Sequence, residues 1–494
     1  MKTVTRQKLP TQWNEREKLR DKGQFWTPDW VAEAMVAYVV QNADLVFDPG
    51  VGKGVFYSAL KKVAPKKKFF GIDVDPEIIA EAKNEGIFDS KAELEVRDFI
   101  LDPPKKLFKA IVANPPYIRH HRLSQEQKDH FRKISLLNLG DTLDGRAGLH
   151  IYFLIQALSL LDKGGRLAFI MPADTCEGVF SKKLWDWVSR KFCIDGVITF
   201  EHKATPFPGV DTNAIIFLIK NEKPKEKLNW VKCLVSESQG LLHFLRSNLS
   251  NTNSEELKIY DRELTEAMAV GLSRTPLENH NFEFTLMDFA HVMRGIATGA
   301  NEFFFLTKDQ AKELKIPKKF FLPAIGRTRD VEKPLITQET LKKLEKKGRP
   351  TLLFFPNGSR LEDMPEAVKN YIHKGEELGL SKRPLISTRQ PWYKMEVREV
   401  PIFLFAYLGR GNTRFIKNEA GIVPLTGFLC VYPRSNEKEY IEKLWAILQH
   451  PNTISNLELV GKSYGSGAIK VEPRSLERLP INSDLVKKVG LKPA

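Results

Sequence analysis

Residues 109–121 read KAIVANPPYIRHH, a short apolar run that breaks at Asn114-Pro115-Pro116-Tyr117. Two consecutive prolines end a strand, because neither donates to a ladder and each biases the residue before it toward extended geometry. The tetrapeptide reads either as a rigid turn or as an active-site loop that offers a side-chain amide, backbone carbonyls and an aromatic face. The rest of the chain has to decide between them.

Three other stretches carry residues that could do chemistry. In LVFDPGVGKGVF, Asp48 closes an apolar run and Gly50, Gly52 and Gly54 alternate ahead of a helical pattern. Glycines there allow close backbone approach to a ligand, and the helix that follows offers free N–H groups. Lys53 is followed by Gly54 and not by Ser or Thr, so this is no Walker loop, and a tight structural turn remains the alternative. In FFGIDVDPE, Asp73 stands about 20 residues further on, where a carboxylate can accept both hydroxyl protons of a ribose. Asp75, directly before Pro76, suits a helix cap better. In EVRDFILD, Asp98 could accept from an exocyclic amine and Phe99 could pack on an aromatic ring.

Elements able to position these residues follow from periodicity. Apolar runs at 45–48, 69–73, 94–97, 111–114, 166–171, 197–201 and 214–219 read as strands, and segments 29–41, 76–85, 148–161 and 180–191 have helical period. Their alternation predicts an α/β fold with a doubly wound, largely parallel sheet whose last two strands pair as an antiparallel edge. The first four strands then end in polar or aromatic loops at one rim of the sheet. From 236 to 258 the rhythm stops and Ser and Asn accumulate, which places a domain boundary near 235/236.

The bulk numbers bound the partners. The 494 residues are 42% hydrophobic and 28% charged, enough for two or three globular domains. A formal net charge of +15, basic in both halves, favours a polyanion. Cys176, Cys193, Cys233 and Cys430 form no C-x-x-C pair, and histidines lack ligand spacing, so no disulfide framework or metal site is expected. The charged N-terminus has no apolar signal region, and the longest apolar stretch, 148–161, is interrupted by His150 and Gln156. A cytoplasmic chain without a membrane role is expected.

In combination, GQFWTPDWVAEAM (23–35), DPGVGKGVF, GIDVDP, RDF, NPPY, LDKGGRLAFIMP and FPGVDTNAIIF resemble the S-adenosylmethionine-dependent N6-adenine DNA methyltransferases of the gamma class, over about the first 220 residues. The resemblance implies a Rossmann-like, seven-stranded methyltransferase sheet (1–235) followed by a mixed α+β target-recognition domain (236–494). Only 60 residues separate Gly54 from Asn114, too few to hold that domain between them. By position, Thr27 resembles the residue that touches the methionine moiety, and Asp48, Gly50, Gly52 and Gly54 resemble the wall around methionine and sugar. Asp73 resembles the ribose ligand, and Asp98 and Phe99 resemble the contacts of the cofactor's adenine. Gly50 departs from the Ala or Ser common in the family.

The resemblance also gives the NPPY loop a chemistry. An adenine amine is a poor nucleophile because its lone pair is delocalised into the ring. The Asn114 oxygen and the Pro115 carbonyl would accept its two hydrogens, held in place by the proline pair. Tyr117, with Pro116 and Phe207, would contact a base extruded from the duplex, because methyl transfer inside the stack is sterically blocked. Phe207 otherwise reads as a packing residue, and His120 and His121 read as solvated or phosphate-facing. No metal is required. In the C-terminal half, Arg327, Arg329, Arg410, Arg414 and Lys470 sit in Gly- or Ser-containing loops suited to DNA contact, whereas LKKLEKKGR reads as a solvated helix face. No nuclease acid cluster is evident. The expected function is the modification half of a restriction-modification system acting on double-stranded DNA, with any cognate restriction endonuclease a separate chain. Methylation of RNA bases or protein glutamine, or catalytically silent DNA binding, are the rivals.

Overall fold

A computed structural model describes residues 26–176, 180–208, 213–250, 253–276, 283–357, 360–406, 414–464 and 468–493. Arg410 and the Gly209–Thr212 part of the FPGVDTN motif lie outside these residues, as does the GQF that precedes Trp26. The chain divides into two compact units, residues 1–276 and 277–494.

The first unit is built on strands β1 (Leu45–Asp48), β2 (Lys68–Asp73), β3 (Ala92–Val96), β4 (Phe108–Ala113), β5 (Leu161–Pro172), β6 (Cys193–Phe200), β7 (Ala214–Lys220), β8 (Lys227–Cys233) and β9 (Leu257–Glu263). They form one sheet in the order β3-β2-β1-β4-β5-β7-β6-β8-β9. The pairs from β3 to β5 are parallel, and β7 runs antiparallel between β5 and β6. All seven expected strands are present, but the sheet has nine strands. The β6–β7 pair is not an edge, because β8 continues beside β6 and β9 pairs antiparallel with β8.

The expected boundary at 235/236 therefore falls between two paired strands, and the unit runs on to Pro276. The Ser- and Asn-rich stretch behind that expectation contains helix caps: the Ser238 hydroxyl accepts from Leu241 N at 3.1 Å at the start of a helix, Gln239–Arg246, whose Leu241, Phe244 and Leu245 are buried. Trp230 of β8 is buried too, and its Nε1 donates to the Leu272 carbonyl at 3.0 Å.

Alternation along the strands divides the core between two faces. Phe47, Phe70, Ile111, Phe169 and Phe217 face one side, with the helices Gln125–Leu139, Leu149–Ser159 and Ser181–Lys191. Val46, Phe69, Val112, Ile170 and Ile216 face the other, with Asp29–Val39, Val55–Val63 and Gln239–Arg246. In Asp29–Val39 every residue from Val31 to Val39 except Glu33 is buried, as befits a helix covered on several sides. The chain winds outward in opposite directions from β1 and β4, so their carboxyl ends open a crevice between diverging loops.

The second unit is α+β. Strands 290–294, 428–433, 403–406, 414–418 and 335–336 form a five-stranded sheet in that order, and a four-stranded sheet joins 305–306, 352–354, 321–325 and 423–424. The lysine-dense LKKLEKK is the helix Gln338–Lys346 with only Leu341 and Leu344 buried, which bears out its solvated face. Arg327 and Arg329 are exposed around a short turn, whereas Arg414 is partly buried and donates from Nη2 to the Val331 carbonyl. Lys470 pairs with Lys462 in a two-stranded ribbon. Among the described residues, no helix is long and apolar enough to cross a membrane.

Candidate active site

The crevice above β1 and β4 holds a cavity of about 540 Å³. The loop after β1 forms its floor. Val51 N donates to the Ile72 carbonyl at 2.9 Å, and Gly50 N donates to Asp48 Oδ1 at 3.0 Å. Gly54, with φ +76°, starts the helix Val55–Val63, and a Cβ there would lie 2.5 Å from the Phe88 ring. Only glycine fits that combination of left-handed backbone and close approach. At Gly50 the nearest atom to an added Cβ is 4.0 Å away, so the alanine common elsewhere would be accommodated.

Asp73 ends β2 and organises both loops at once. Its Oδ2 accepts from Gly52 N at 2.8 Å, and its Oδ1 accepts from Asp75 N at 3.0 Å. Asp75 in turn caps the helix Pro76–Asn84 through Glu77 N at 3.1 Å, the role its place before proline suggested. Burial raises the Asp73 carboxyl above the ordinary carboxylate range, although N–H groups of Asp75 and Gly52 oppose the rise. Asp48 is fully buried and is pushed further up, by burial first, with the Asp73 charge adding to it. Its Oδ2 has no hydrogen-bond partner among the described residues. Asp98 turns the chain after β3, where Oδ1 accepts from Ile100 N at 2.8 Å and Leu101 N at 3.0 Å. Phe99 beside it is tilted against Phe153, 5.1 Å between centroids.

Thr27, Gly50, Gly52, Asp73, Asp98, Phe99, Asn114 and Pro116 all line this one cavity. Asp48 and Gly54 stand behind its wall and shape the loop. Asn114 Nδ2 donates to Thr27 Oγ1 at 3.1 Å, which fixes the orientation of the amide, with its nitrogen end toward Thr27.

Pro115, Tyr117 and Phe207 are not part of the cavity wall. The Tyr117 hydroxyl donates to the Ile170 carbonyl at 3.0 Å, and burial holds its pKa well above the ordinary phenol value. Phe207 is 5% exposed and packs in the core beneath the second face of the sheet. The two rings stand edge-on, 82° apart with centroids 6.5 Å apart. Parallel stacking of a base between them requires one ring to turn.

Two features of the cavity escaped the motifs. Lys53 lies 4.9 Å from the Trp26 ring centroid and 3.3 Å from Glu81, bridging the glycine loop to the helix Pro76–Asn84. Lys53 drew notice only for failing the Walker pattern, and Glu81 lay in an ordinary helical period. The lining is also acid-rich: Asp73, Asp75, Glu77, Glu81 and Asp98 face only Lys53 and Arg97. A cavity of that sign attracts a cationic ligand, and its separate carboxylates and aromatic edge match the ammonium, ribose and adenine of S-adenosylmethionine. The residues present therefore fit that cofactor.

Comparison with known proteins bears on both units. Residues 62–207 match the family described as Eco57I restriction-modification methylase, and residues 274–492 match the family described as Type II methyltransferase M.Eco57I, C-terminal domain. The chain is 27% identical over 474 residues to the Type II methyltransferase M.AccI of Acinetobacter calcoaceticus, with 92% of this chain and 84% of that protein covered. It is 22% identical over 479 residues to the Type II methyltransferase M.XamI of Xanthomonas campestris pv. amaranthicola, covering 93% of this chain and 85% of the relative. Among solved structures, the Type IIL restriction-modification enzyme MmeI in complex with DNA aligns with a TM-score of 0.52 at 13% identity. That alignment covers 96% of this chain and 65% of the MmeI chain, a likeness of fold.

Proposed function

We propose that this chain, which belongs to the Type II restriction-modification DNA methyltransferases, methylates the N6 amine of an adenine extruded from duplex DNA. S-adenosylmethionine, the cofactor of these enzymes, supplies a methyl group made electrophilic by its own sulfonium charge. Thr27, Gly50, Gly52, Asp73, Asp98 and Phe99 would hold it. The protein's task at the other reactant is to make a weak nucleophile adequate. Asn114 Oδ1 and the Pro115 carbonyl accept the two amine hydrogens and draw the nitrogen toward tetrahedral geometry, while Pro116 and Tyr117 hold the base. The nitrogen becomes cationic and acidic once it has taken the methyl, so one of its two hydrogens would leave as a proton to water, and orientation with preorganised acceptors would suffice without a strongly basic residue.

The observation that carries this reading is the placement of Asn114: it lines the acid-rich cavity at the end of β4, and its amide nitrogen is tied to Thr27. Residues 1–276 form the catalytic unit on this reading. Residues 277–494, with exposed Arg327 and Arg329, contact the target sequence.

The test is to express the chain in cells lacking DNA methylation, hydrolyse the genomic DNA and quantify methylated nucleosides by mass spectrometry. N6-methyladenine confined to one sequence context, and absent with Asn114→Ala, is the expected result. Methylated cytosine in its place, or modification only of RNA or protein, would overturn the reading.

A further inference from the structure

His150 is the second residue of the helix Leu149–Ser159 and is only 7% exposed. Both of its ring nitrogens are buried and have no hydrogen-bond partner among the described residues. Burial lowers its pKa to about 4, despite the opposing charge of Asp174, so the ring is neutral under ordinary conditions. A neutral imidazole has one N–H donor and one acceptor nitrogen. Leaving both unmade in a protein interior is unfavourable, and a phenylalanine would fill the same space without that cost. Buried polar groups of this kind call for an explanation, and a missing ligand is one.

The surroundings point to which ligand. Leu149 N donates to the Ile118 carbonyl at 2.9 Å, fastening the helix to the NPPY loop. At Gly148 a Cβ would lie 2.7 Å from His150 Cε1 and 2.8 Å from the Ile118 carbonyl oxygen, so ring and loop are packed as closely as glycine permits. The imidazole stands edge-on to Tyr117, 72° between planes and 5.9 Å between centroids. Tyr117 has the same edge-on relation to Phe207. His150 thus belongs to the aromatic group beside the loop and is not among the residues lining the cofactor cavity. A ligand reaching Tyr117 and Asn114 together is the base, and adenine offers three ring nitrogens that only accept.

We infer that His150 is a direct contact of the extruded base, donating its ring N–H to a ring nitrogen of adenine. The inference rests on the function proposed above and adds the residue that reads the adenine ring, distinct from the pair that holds its amine. It gives the unpartnered imidazole its partner at the moment the target enters, and sets a penalty against any ring that lacks the acceptor.

The test uses the full chain and duplexes carrying its mapped target sequence, with the target adenine replaced in turn by 1-deaza-, 3-deaza- and 7-deazaadenine. With wild-type protein, one analogue should lower kcat/KM by about ten- to a hundredfold, the range expected for losing one buried hydrogen bond. His150→Phe, which keeps the ring volume, should lose a similar factor on adenine itself and be indifferent to that same analogue. His150→Gln, which restores a donor, should recover part of the loss and of the discrimination. Cofactor affinity by calorimetry should stay unchanged in both variants. If His150→Phe is penalised by all three analogues as strongly as wild type, the contact is overturned while adenine methylation stands. If wild-type protein methylates a different base, both readings fall.

Discussion

Thr27 and Asn114, 87 positions apart, are joined by one hydrogen bond of 3.1 Å from the Asn114 amide to the Thr27 hydroxyl. Thr27 is buried and lines the cavity as well, so on the proposed reading a single side chain would touch the cofactor and set the orientation of the amide that receives the amine. Thr27→Val keeps the shape and removes the acceptor. Freed from its tether, the Asn114 amide can rotate, and the single-turnover rate should drop roughly ten- to a hundredfold, the worth of one buried hydrogen bond. Cofactor affinity should change much less, and Thr27→Ser should retain both. A fall in affinity with an unchanged rate would assign Thr27 to the cofactor alone.

Asp73 yields a prediction with a pH sign. Its two oxygens already accept from Gly52 and Asp75, and its remaining lone pairs are what a ribose would use. Only the ionised form can accept at every one of these sites. Because burial raises its pKa in the folded protein, cofactor binding should weaken as pH falls, beginning at a higher pH than an ordinary aspartate would give. Asp73→Ala should weaken cofactor binding before it affects turnover of bound complex, and Asp73→Asn should bind weakly with the pH dependence flattened. Calorimetric titration from pH 8 down through the ordinary aspartate range reads both. A wild-type affinity constant across that range would remove Asp73 from the ribose.

How far the sequence spoke depends on whether a feature is local. The loops after β1, β2, β3 and β4 were legible because backbone demands at Gly54, the proline pair and the two aspartates around Val74 are each met by one residue type in one place. The ends of the sheet were not, since β8 and β9 are recruited by pairing across a caps-and-loop segment whose Ser238 and neighbouring serines and asparagines look like linker. Glu81 and His150 were silent for another reason: each sits in an unremarkable helical period, and only the tertiary fold brings Glu81 to Lys53 and His150 to Tyr117. Phe207 shows the converse. Its motif position suggested an open stacking face, whereas the structure buries it in the core.

Asp48 should cost the apo protein stability. Its folded pKa is raised far above that of the unfolded chain, so as pH rises through the ordinary aspartate range the unfolded state ionises while the folded state keeps its proton. Stability is thus fullest in acid, declines up to the raised pKa, and stays low above it. Asp48→Asn never ionises, so the gap between variant and wild type should widen with rising pH and be greatest near pH 8. Each kcal/mol gained there appears as a rise of about 2–4 °C in the first unit's unfolding transition. A gap that shrinks with rising pH would mean that the carboxylate is matched by a charge elsewhere.

Base extrusion is tested best at Tyr117 and Phe207, and their different burial dictates different substitutions. Tyr117 closes the NPPY loop and is held by its hydroxyl on the Ile170 carbonyl, so Tyr117→Ala should remove about 1–3 kcal/mol of base stacking with moderate loss of stability. Phe207→Ala would also empty a core site at about 3–5 kcal/mol, confusing folding with binding, so Phe207→Leu is the informative change. Wild-type protein should bind a duplex with a mismatched or abasic partner opposite the target more tightly than the paired duplex, because less pairing energy is lost on extrusion. Both variants should keep some DNA binding yet lose part of that preference, since the extruded base then gains less on arrival. The edge-on rings must also reorient, so 2-aminopurine at the target should change its emission in a step slower than DNA association. Equal affinity of wild-type protein for paired and mismatched targets would leave extrusion unsupported, and Phe207 would be a packing residue.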